Sequence, residues 1–438
     1  MPLTEQHPIL TASAYQGYVY AYPHKTAYRP FAPRALRDVW AGEPQGNLFL
    51  YVHVPFCTMR CGFCNLFTTA NPKRDLVTLY LDALDRQTGA VREALPGATF
   101  ARFAIGGGTP TYLNEAELGH VFDLAQKVLG ADPHAIPTGI EASPDTLTPE
   151  KVALLKARGV ERVSIGVQSF IESEAANSGR PQSRADVDSA LSLLKGANFG
   201  TLNLDLIYGL PGQTVGTWLY SLRAALQYAP EELYLYPLYV RPLTGLGRSH
   251  KEWDDTRLAC YREARALLLS VGYEQVSMRM FRRGPSRVGP AYCCQVDGMI
   301  GLGCGARSYT RGLHYSLDYA VQPKSVKAII ADYLSYTRAD FAHARHGFAL
   351  DRDEQRRRYV LQSVLNADGL RAADYRARFG SDPAADFPEL PAFAESGLLV
   401  FDGARWAPTA LGLERSDALG PWFFSDRVRA LMAEYDLK

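Results

Sequence analysis

Three cysteines, Cys57, Cys61 and Cys64, fall within eight residues of the stretch YVHVPFCTMRCGFCNLFTT (Tyr51 to Thr69), directly after an apolar run. Their spacing is C-x3-C-x2-C. A structural zinc site is closed by four ligands, usually from two C-x2-C pairs, whereas this stretch offers three thiols with unequal gaps. His53 is available as a fourth ligand. A [4Fe-4S] cluster on three thiolates leaves one iron open to an exogenous ligand, as a catalytic cluster requires. Thiols packed merely as small hydrophobes seldom gather in a Gly-containing loop beside a strand end. The chain has seven cysteines in all, an odd number that suits metal binding in a reducing compartment better than a disulfide framework.

The elements that must hold these thiols alternate in type. Short β-branched or aromatic runs are expected as strands at Leu48 to Val54, Ala101 to Ile105, Thr138 to Ala142, Arg162 to Gln168, Leu202 to Tyr208 and Leu233 to Tyr239. Between them lie amphipathic stretches such as LVTLYLDALDRQTGAVREAL, with apolar residues at helical spacing. This is the pattern of βα units and a parallel sheet, and six strands fit an open barrel. Cys57, Gly106, Glu141, Gln168 and Asp205 all fall at or near the C-terminal end of an expected strand, the rim where parallel α/β folds assemble their sites.

Lys plus Arg number 47 against 46 Asp plus Glu, a net charge of +1. Nothing in that balance points to nucleic acid or an anionic membrane. The start, MPLTEQHPIL, has no basic segment followed by a long apolar one, and no stretch approaches the roughly 20 apolar residues of a membrane span. A cytoplasmic protein is expected. Beyond about Ala331 the sequence becomes helix-rich. DRDEQRRRYVLQSVL opens on acids that suit a helix N-terminus, and LLVFDGARWAPT reads as a hairpin turning at Asp402-Gly403. Helices followed by a hairpin wing predict a small winged-helix-like C-terminal domain, in a packing or lid role.

Taken in order, C-x3-C-x-F-C after a first strand, GGGTP after the second, then SIGVQSF, DLIYGLPGQT and GLGCGARSY resemble the radical S-adenosylmethionine (SAM) superfamily, and specifically the oxygen-independent coproporphyrinogen III oxidase family. The resemblance covers Leu48 to Tyr309 well and extends weakly to YQGYVYAYP and to the C-terminus. It implies an α/β fold, a partial (β/α)6 barrel with a small helical, winged-helix-like C-terminal domain. Expected boundaries are an N-terminal extension at 1–47, the barrel with a following family-specific segment at 48–330, and the C-terminal domain at 331–438. The resemblance further implies that Cys57, Cys61 and Cys64 hold a [4Fe-4S] cluster whose open iron is chelated by SAM. A reducing donor such as flavodoxin or ferredoxin would supply the electron that cleaves SAM to a 5′-deoxyadenosyl radical.

Residue by residue, the resemblance implies that Gly106, Gly107 and Gly108 let the backbone approach SAM, with Thr109 and Pro110 stiffening the turn. It implies that Phe63 flanks the adenine, that Gln168, Arg180, Asp205 and Tyr239 complete the site, and that Tyr51, Gly107 and Glu141 match the place of a second SAM. Two positions depart from the family oxidase. Arg307 stands where the oxidase has an aliphatic residue, and Leu66 where it has an additional cysteine. Cys293, Cys294 and Cys304 are expected to be structural, and so is His314. Arg279, Arg282, Arg283 and Arg287, the densest basic run, are expected to hold the carboxylates of an acidic substrate of the coproporphyrinogen type if they are not a solvated loop. A two-SAM methyltransferase or cyclopropane-forming activity, and haem binding or trafficking without oxidase activity, are the alternatives.

Overall fold

The computed structural model describes residues 8–249, 255–284 and 294–438. Arg287 and Cys293 lie outside them. Contacts divide the described residues into two compact units, one of residues 28–249, 255–260, 294–349 and 436–438, the other of residues 8–27, 261–284 and 350–435. These divisions fall elsewhere than the expected boundaries at 47 and 330. Residues 28–47 and 331–349 go with the first unit, and residues 261–284 with the second.

The first unit is built on six parallel strands in sequential order: β1 (Leu48–Val54), β2 (Phe100–Gly107), β3 (Thr138–Ala142), β4 (Arg162–Gln168), β5 (Thr201–Tyr208) and β6 (Glu232–Pro237). Three of the six match the expected bounds residue for residue, because apolar side chains buried on both faces make the strand runs continuous. The crossover helices carry their own start signals. The helix Glu115–Asp123 opens on an Asn114–Glu117 capping box, Pro149–Ala157 on Thr148 with Pro at its first position, and Val215–Leu226 on a Thr214–Thr217 box. The long helix Arg74–Ala94 buries Val77, Tyr80, Leu81, Leu84 and Val91, a stripe at three- and four-residue spacing.

Register fixes which side chains share the rim. Val54 lies opposite Gly107, Ile105 opposite Ile140, Glu141 opposite Ser164, and Gly166 opposite Asp205. Beyond β6 the chain returns to the other edge. β7 (Met299–Leu302) runs parallel to β1, with Gly301 opposite Tyr51, and the antiparallel strands β8 (Arg307–Tyr309), β9 (Leu313–Ser316) and β10 (His343–Ala349) extend the sheet to an edge strand at Arg29–Ala35. Two glycines of the GLGCG turn face His53 and Tyr80: a Cβ on Gly305 would lie 2.7 Å from the His53 ring. Cys304 between them is fully buried, as is His314, whose Nδ1 lies 3.3 Å from the Tyr28 hydroxyl. Both have the structural placement expected of them. Cys294 opens the short helix Cys294–Asp297.

In the second unit, Asp351 caps the helix Arg352–Val364 by accepting from the Glu354 N–H at 2.9 Å. A three-stranded sheet follows, with Arg405–Pro408 between Leu370–Arg371 and Leu399–Phe401. The wing hairpin turns at Asp402-Gly403, where Gly403 has φ +90° and the Asp402 carboxylate accepts from the backbone N–H groups of Ala404 and Arg405. Helices with a hairpin wing make this unit winged-helix-like. Tyr22 joins its core through the buried Glu354 carboxylate, which also accepts from Ser425 Oγ at 2.7 Å. Among the described residues, no helix is long and apolar enough to cross a membrane.

Candidate active site

The cysteine loop is closed at its base. Phe56–Cys57 pairs with Thr69–Ala70 as a two-stranded ribbon, so the chain between them must bulge out over the end of β1. Within it the Cys64 N–H donates to Cys61 O at 3.1 Å, and Gly62 is gripped from two sides, its N–H donating to Ser178 O at 3.0 Å and its carbonyl accepting from Leu246 N at 2.8 Å. A Cβ at Gly62 would sit 2.6 Å from Ser178 O, which explains the glycine inside the C-x3-C-x2-C run. The segment 318–321 holds the loop as well: Tyr319 OH donates to Asn65 O at 2.6 Å, and Arg60 donates to Val321 O.

All three thiols are partly exposed and unbridged. Each faces a polar neighbour. Thr109 Oγ1 donates to Cys57 Sγ at 3.6 Å, Arg180 Nη1 to Cys61 Sγ at 3.3 Å, and Cys64 Sγ lies 3.9 Å from Thr68 Oγ1. Burial pushes the Cys57 thiol up to about 12, against the Thr109 hydrogen bond, and raises Cys64 also. A bound metal must therefore displace protons from these sulfurs. Among the described residues no three His, Cys, Asp or Glu side chains converge on one point as a single ion would need. His53 is not available as a fourth ligand, since Nε2 bonds to Phe67 O at 3.0 Å and Nδ1 lies 3.4 Å from the Tyr51 hydroxyl. Three unpaired thiols on one loop, each with a donor or hydroxyl beside it, fit three corners of a polynuclear cluster with one corner left to another ligand.

The glycine turn ending β2 lies against this loop. A Cβ at Gly108 would meet Phe56 O at 2.7 Å and Cys57 Sγ at 2.9 Å; one at Gly107, where φ is +117°, would meet the His53 ring; one at Gly106 would press on both Glu141 and Tyr51 at 2.9 Å. The turn is thus required by protein packing as well as by any ligand. Glu141 is exposed to solvent although protein atoms surround it. Burial raises its carboxyl to about 7 against the Gly107 N–H, and the charge of Asp205 adds to the rise. Asp205 is raised to about 6 by burial, opposed by hydrogen bonds from Asn203 at 2.8 Å and Ser164 at 3.4 Å and by the charge of Arg162. Burial pushes the Tyr51 hydroxyl well up, with Glu141 adding to the rise and Arg307 opposing it. Arg307 therefore stands within electrostatic reach of the Tyr51 hydroxyl.

At the end of β4 the strand register slips and Gln168 takes φ +69°, a conformation unusual for a residue with a side chain. Its amide would lie 2.7 Å from a Cβ at Gly166, so the glycine makes room for it. Phe63 packs beside Tyr236 against Ile207, Leu210, Leu238 and Leu246, and the Arg241 guanidinium lies 4.8 Å from the Tyr239 ring centre. Contacts and strand register thus link the cysteine loop, the glycine turn, Tyr51, Glu141, Gln168, Arg180 and Asp205 toward the C-terminal ends of the strands.

The basic run behaves differently. Arg279 is buried in the second unit, paired with Asp417, with its guanidinium 3.9 Å from the Tyr18 ring centre. It is a core residue, where a substrate contact was expected. Arg282 lies 3.6 Å from Glu274 across the hairpin formed by Tyr273–Gln275 and Met280–Arg283, and Arg283 is exposed. Sequence reasoning also missed partners of the rim, Ser143 and Asp145 just after β3 and Gln182, and it missed the Arg162–Glu232 pair, 2.8 Å apart, which joins the first residues of β4 and β6. Ser143 was findable from its strand-end position. Gln182 left no signal.

A sheet of six parallel strands with a tricysteine loop after the first, a glycine turn closing the second and carboxylates carried on the third and fifth defines a radical SAM protein. Comparison with known proteins agrees. Residues 51–225 match the radical SAM superfamily and residues 350–414 the HemN C-terminal domain. The oxygen-independent coproporphyrinogen III oxidase of Escherichia coli (strain K12) is 27% identical over 91% of both chains. Heme chaperone HemW of Bacillus subtilis (strain 168) is 30% identical over 60% of this chain and 71% of its own. The solved structure of the E. coli HemN oxidase, 24% identical, superposes with a TM-score of 0.79 over 93% of this chain and 98% of that one. The chain belongs to the HemN-like family of the radical SAM superfamily, which holds these oxidases and HemW chaperones. Its cofactors are a [4Fe-4S] cluster and SAM.

Proposed function

We propose that the protein oxidatively decarboxylates a carboxylate-bearing tetrapyrrole of the coproporphyrinogen type, turning propionate side chains into vinyls. The observation that carries this reading is the extent of the similarity. The match to the oxidase takes in 91% of both chains, whereas that to HemW takes in 60% of this one. Cys57, Cys61 and Cys64 would hold the cluster. Gly106 to Thr109, Gln168 and Asp205 would bind SAM, with Phe63 and Tyr239 closing its apolar side. When bound, cluster and SAM supply a 5′-deoxyadenosyl radical able to take a hydrogen atom from the substrate. The chain's own part is orientation: Arg307, within electrostatic reach of Tyr51, would offer a fork-shaped cation to a carboxylate and hold the reacting propionate in one pose.

A second reading, haem binding without oxidase activity, is favoured by Leu66, exposed where the oxidase has a further cysteine, and by the 30% identity to HemW. Anaerobic incubation with reductant, SAM and coproporphyrinogen III separates the two. Formation of 5′-deoxyadenosine together with a vinyl product and CO2 supports decarboxylation. Stoichiometric haem binding with no tetrapyrrole conversion would replace it with the second reading, and label from the SAM methyl group in the product would replace both with methyl transfer.

A further inference from the structure

Arg180 is held more firmly than a ligand-binding fork needs to be. A guanidinium has five N–H donors, and the protein already uses four: Nε donates to Gln182 Oε1 at 3.1 Å, Nη1 to Cys61 Sγ at 3.3 Å, and Nη2 to Ser143 Oγ at 3.0 Å and Gly166 O at 2.8 Å. The holders are themselves fixed. Gln182 Nε2 donates to Val167 O at 2.7 Å and Ser169 O at 3.1 Å, and Ser143 Oγ, while accepting from Arg180, donates to Asp145, which also accepts from Thr58 in the cysteine loop. One N–H remains, too few for a bidentate grip on a carboxylate unless a protein contact is given up. What the network does provide is a fixed cation on the sulfur of one cysteine.

We infer that Arg180 is a positioning residue for the cluster, fixing a positive charge and an N–H donor on the Cys61 sulfur so that the bound cluster is easier to reduce. The inference rests on the reading that Cys61 is a cluster ligand. Reduction adds negative charge that spreads onto the sulfurs, and a donor already aimed at one of them stabilises the reduced state more than the oxidised state. Net charge and hydrogen bonds to sulfur are among the levers that set such potentials, and a partly buried site weakens neither as bulk water would. Ser143 and Gln182 act through Arg180 by holding its plane.

The test is an EPR-monitored potentiometric titration of the anaerobically reconstituted full chain with SAM absent. Arg180→Gln should shift the midpoint to more negative potential at unchanged iron content, and Arg180→Lys should shift it the same way but less, since it keeps a charge but loses the fork. Midpoints equal to the parent's in both variants would overturn the inference, leaving Arg180 as a SAM contact only. If Arg180→Gln takes up no iron, Arg180→Lys decides by the same criterion. Failure of the cluster reading is distinct: the unaltered chain would then give no [4Fe-4S] signal at all.

Discussion

The backbone N–H of Gly107 donates to Oε2 of Glu141 at 2.9 Å. That bond joins the glycine turn of β2 to the end of β3, and the missing Cβ of Gly106 is what lets Glu141 and Tyr51 come so close. Because Gly108 in turn abuts Cys57, the acid, the glycines and the cysteine loop form one packed unit. Disturbing any of them should be felt at the others.

The cluster ligands test this first. Anaerobically prepared protein should be brown and contain about four irons per chain, as a [4Fe-4S] cluster requires. Cys57→Ala, Cys61→Ala and Cys64→Ala should each lose the colour and the iron. Gly62→Ala should impair uptake although no ligand is removed, because its Cβ has no room beside Ser178 O. Iron analysis and absorbance spectra check both; stoichiometric zinc in colourless parent protein after reconstitution would contradict the assignment.

SAM binding should separate from cluster binding. Asp205 sits on the rim with its carboxylate oriented by Asn203 and Ser164, and it touches none of the three thiols. Asp205→Ala should leave iron content unchanged. Loss of a charge-assisted hydrogen bond costs roughly 1.5–3 kcal/mol, about a tenfold to hundredfold weaker SAM affinity. Equilibrium binding of SAM to the reconstituted variant gives the answer, and affinity equal to the parent's would remove Asp205 from the site.

Glu141 makes the cofactor-free protein sensitive to pH. Its folded value of about 7 lies above the ordinary 4.5, so between those values the unfolded chain releases a proton that the folded chain keeps. Its favourable contribution is full below about 4.5 and is lost as pH rises through about 7. Asp205, raised from 3.8 to about 6, acts in the same direction over a lower window. Melting temperatures of the cofactor-free protein across this range should fall less steeply in Glu141→Gln than in the parent. Parallel curves would show that solvent hydrates the exposed carboxylate too well for burial to matter.

Much of this site was legible because βα folds place chemistry at strand ends, and strand ends show in sequence as the close of an apolar run. Leu48–Val54, Thr138–Ala142 and Arg162–Gln168 were bounded correctly for that reason. The sheet's antiparallel extension was not legible. Arg29–Ala35 (RPFAPRA) and His343–Ala349 (HARHGFA) pair with each other, yet neither has the alternation of apolar and polar residues that marks a half-buried strand. The contacts of Arg180 were hidden because its partners come from three separate segments, around Cys61, Ser143 and Gly166. The bulge at Gln168 was hidden because it depends on the register of a neighbouring strand.

The arginines give the last prediction, since two that looked alike in the sequence should fail in opposite ways. Arg279 is buried against Asp417, so Arg279→Ala leaves that carboxylate without its cation, a change that costs about 3–5 kcal/mol when a buried pair is broken. Urea unfolding should register the loss, while turnover per folded molecule should remain near the parent's. Arg307 is only partly buried and within electrostatic reach of Tyr51. Arg307→Lys should leave unfolding nearly unchanged yet raise the KM for coproporphyrinogen III, because an ammonium keeps the charge but not the two-pronged geometry that orients a carboxylate. Should Arg307→Lys turn over substrate as the parent does, the carboxylates are held elsewhere. Should it instead weaken SAM binding alone, Arg307 serves the cofactor, and the aliphatic residue of the oxidases has been replaced here by a contact to SAM.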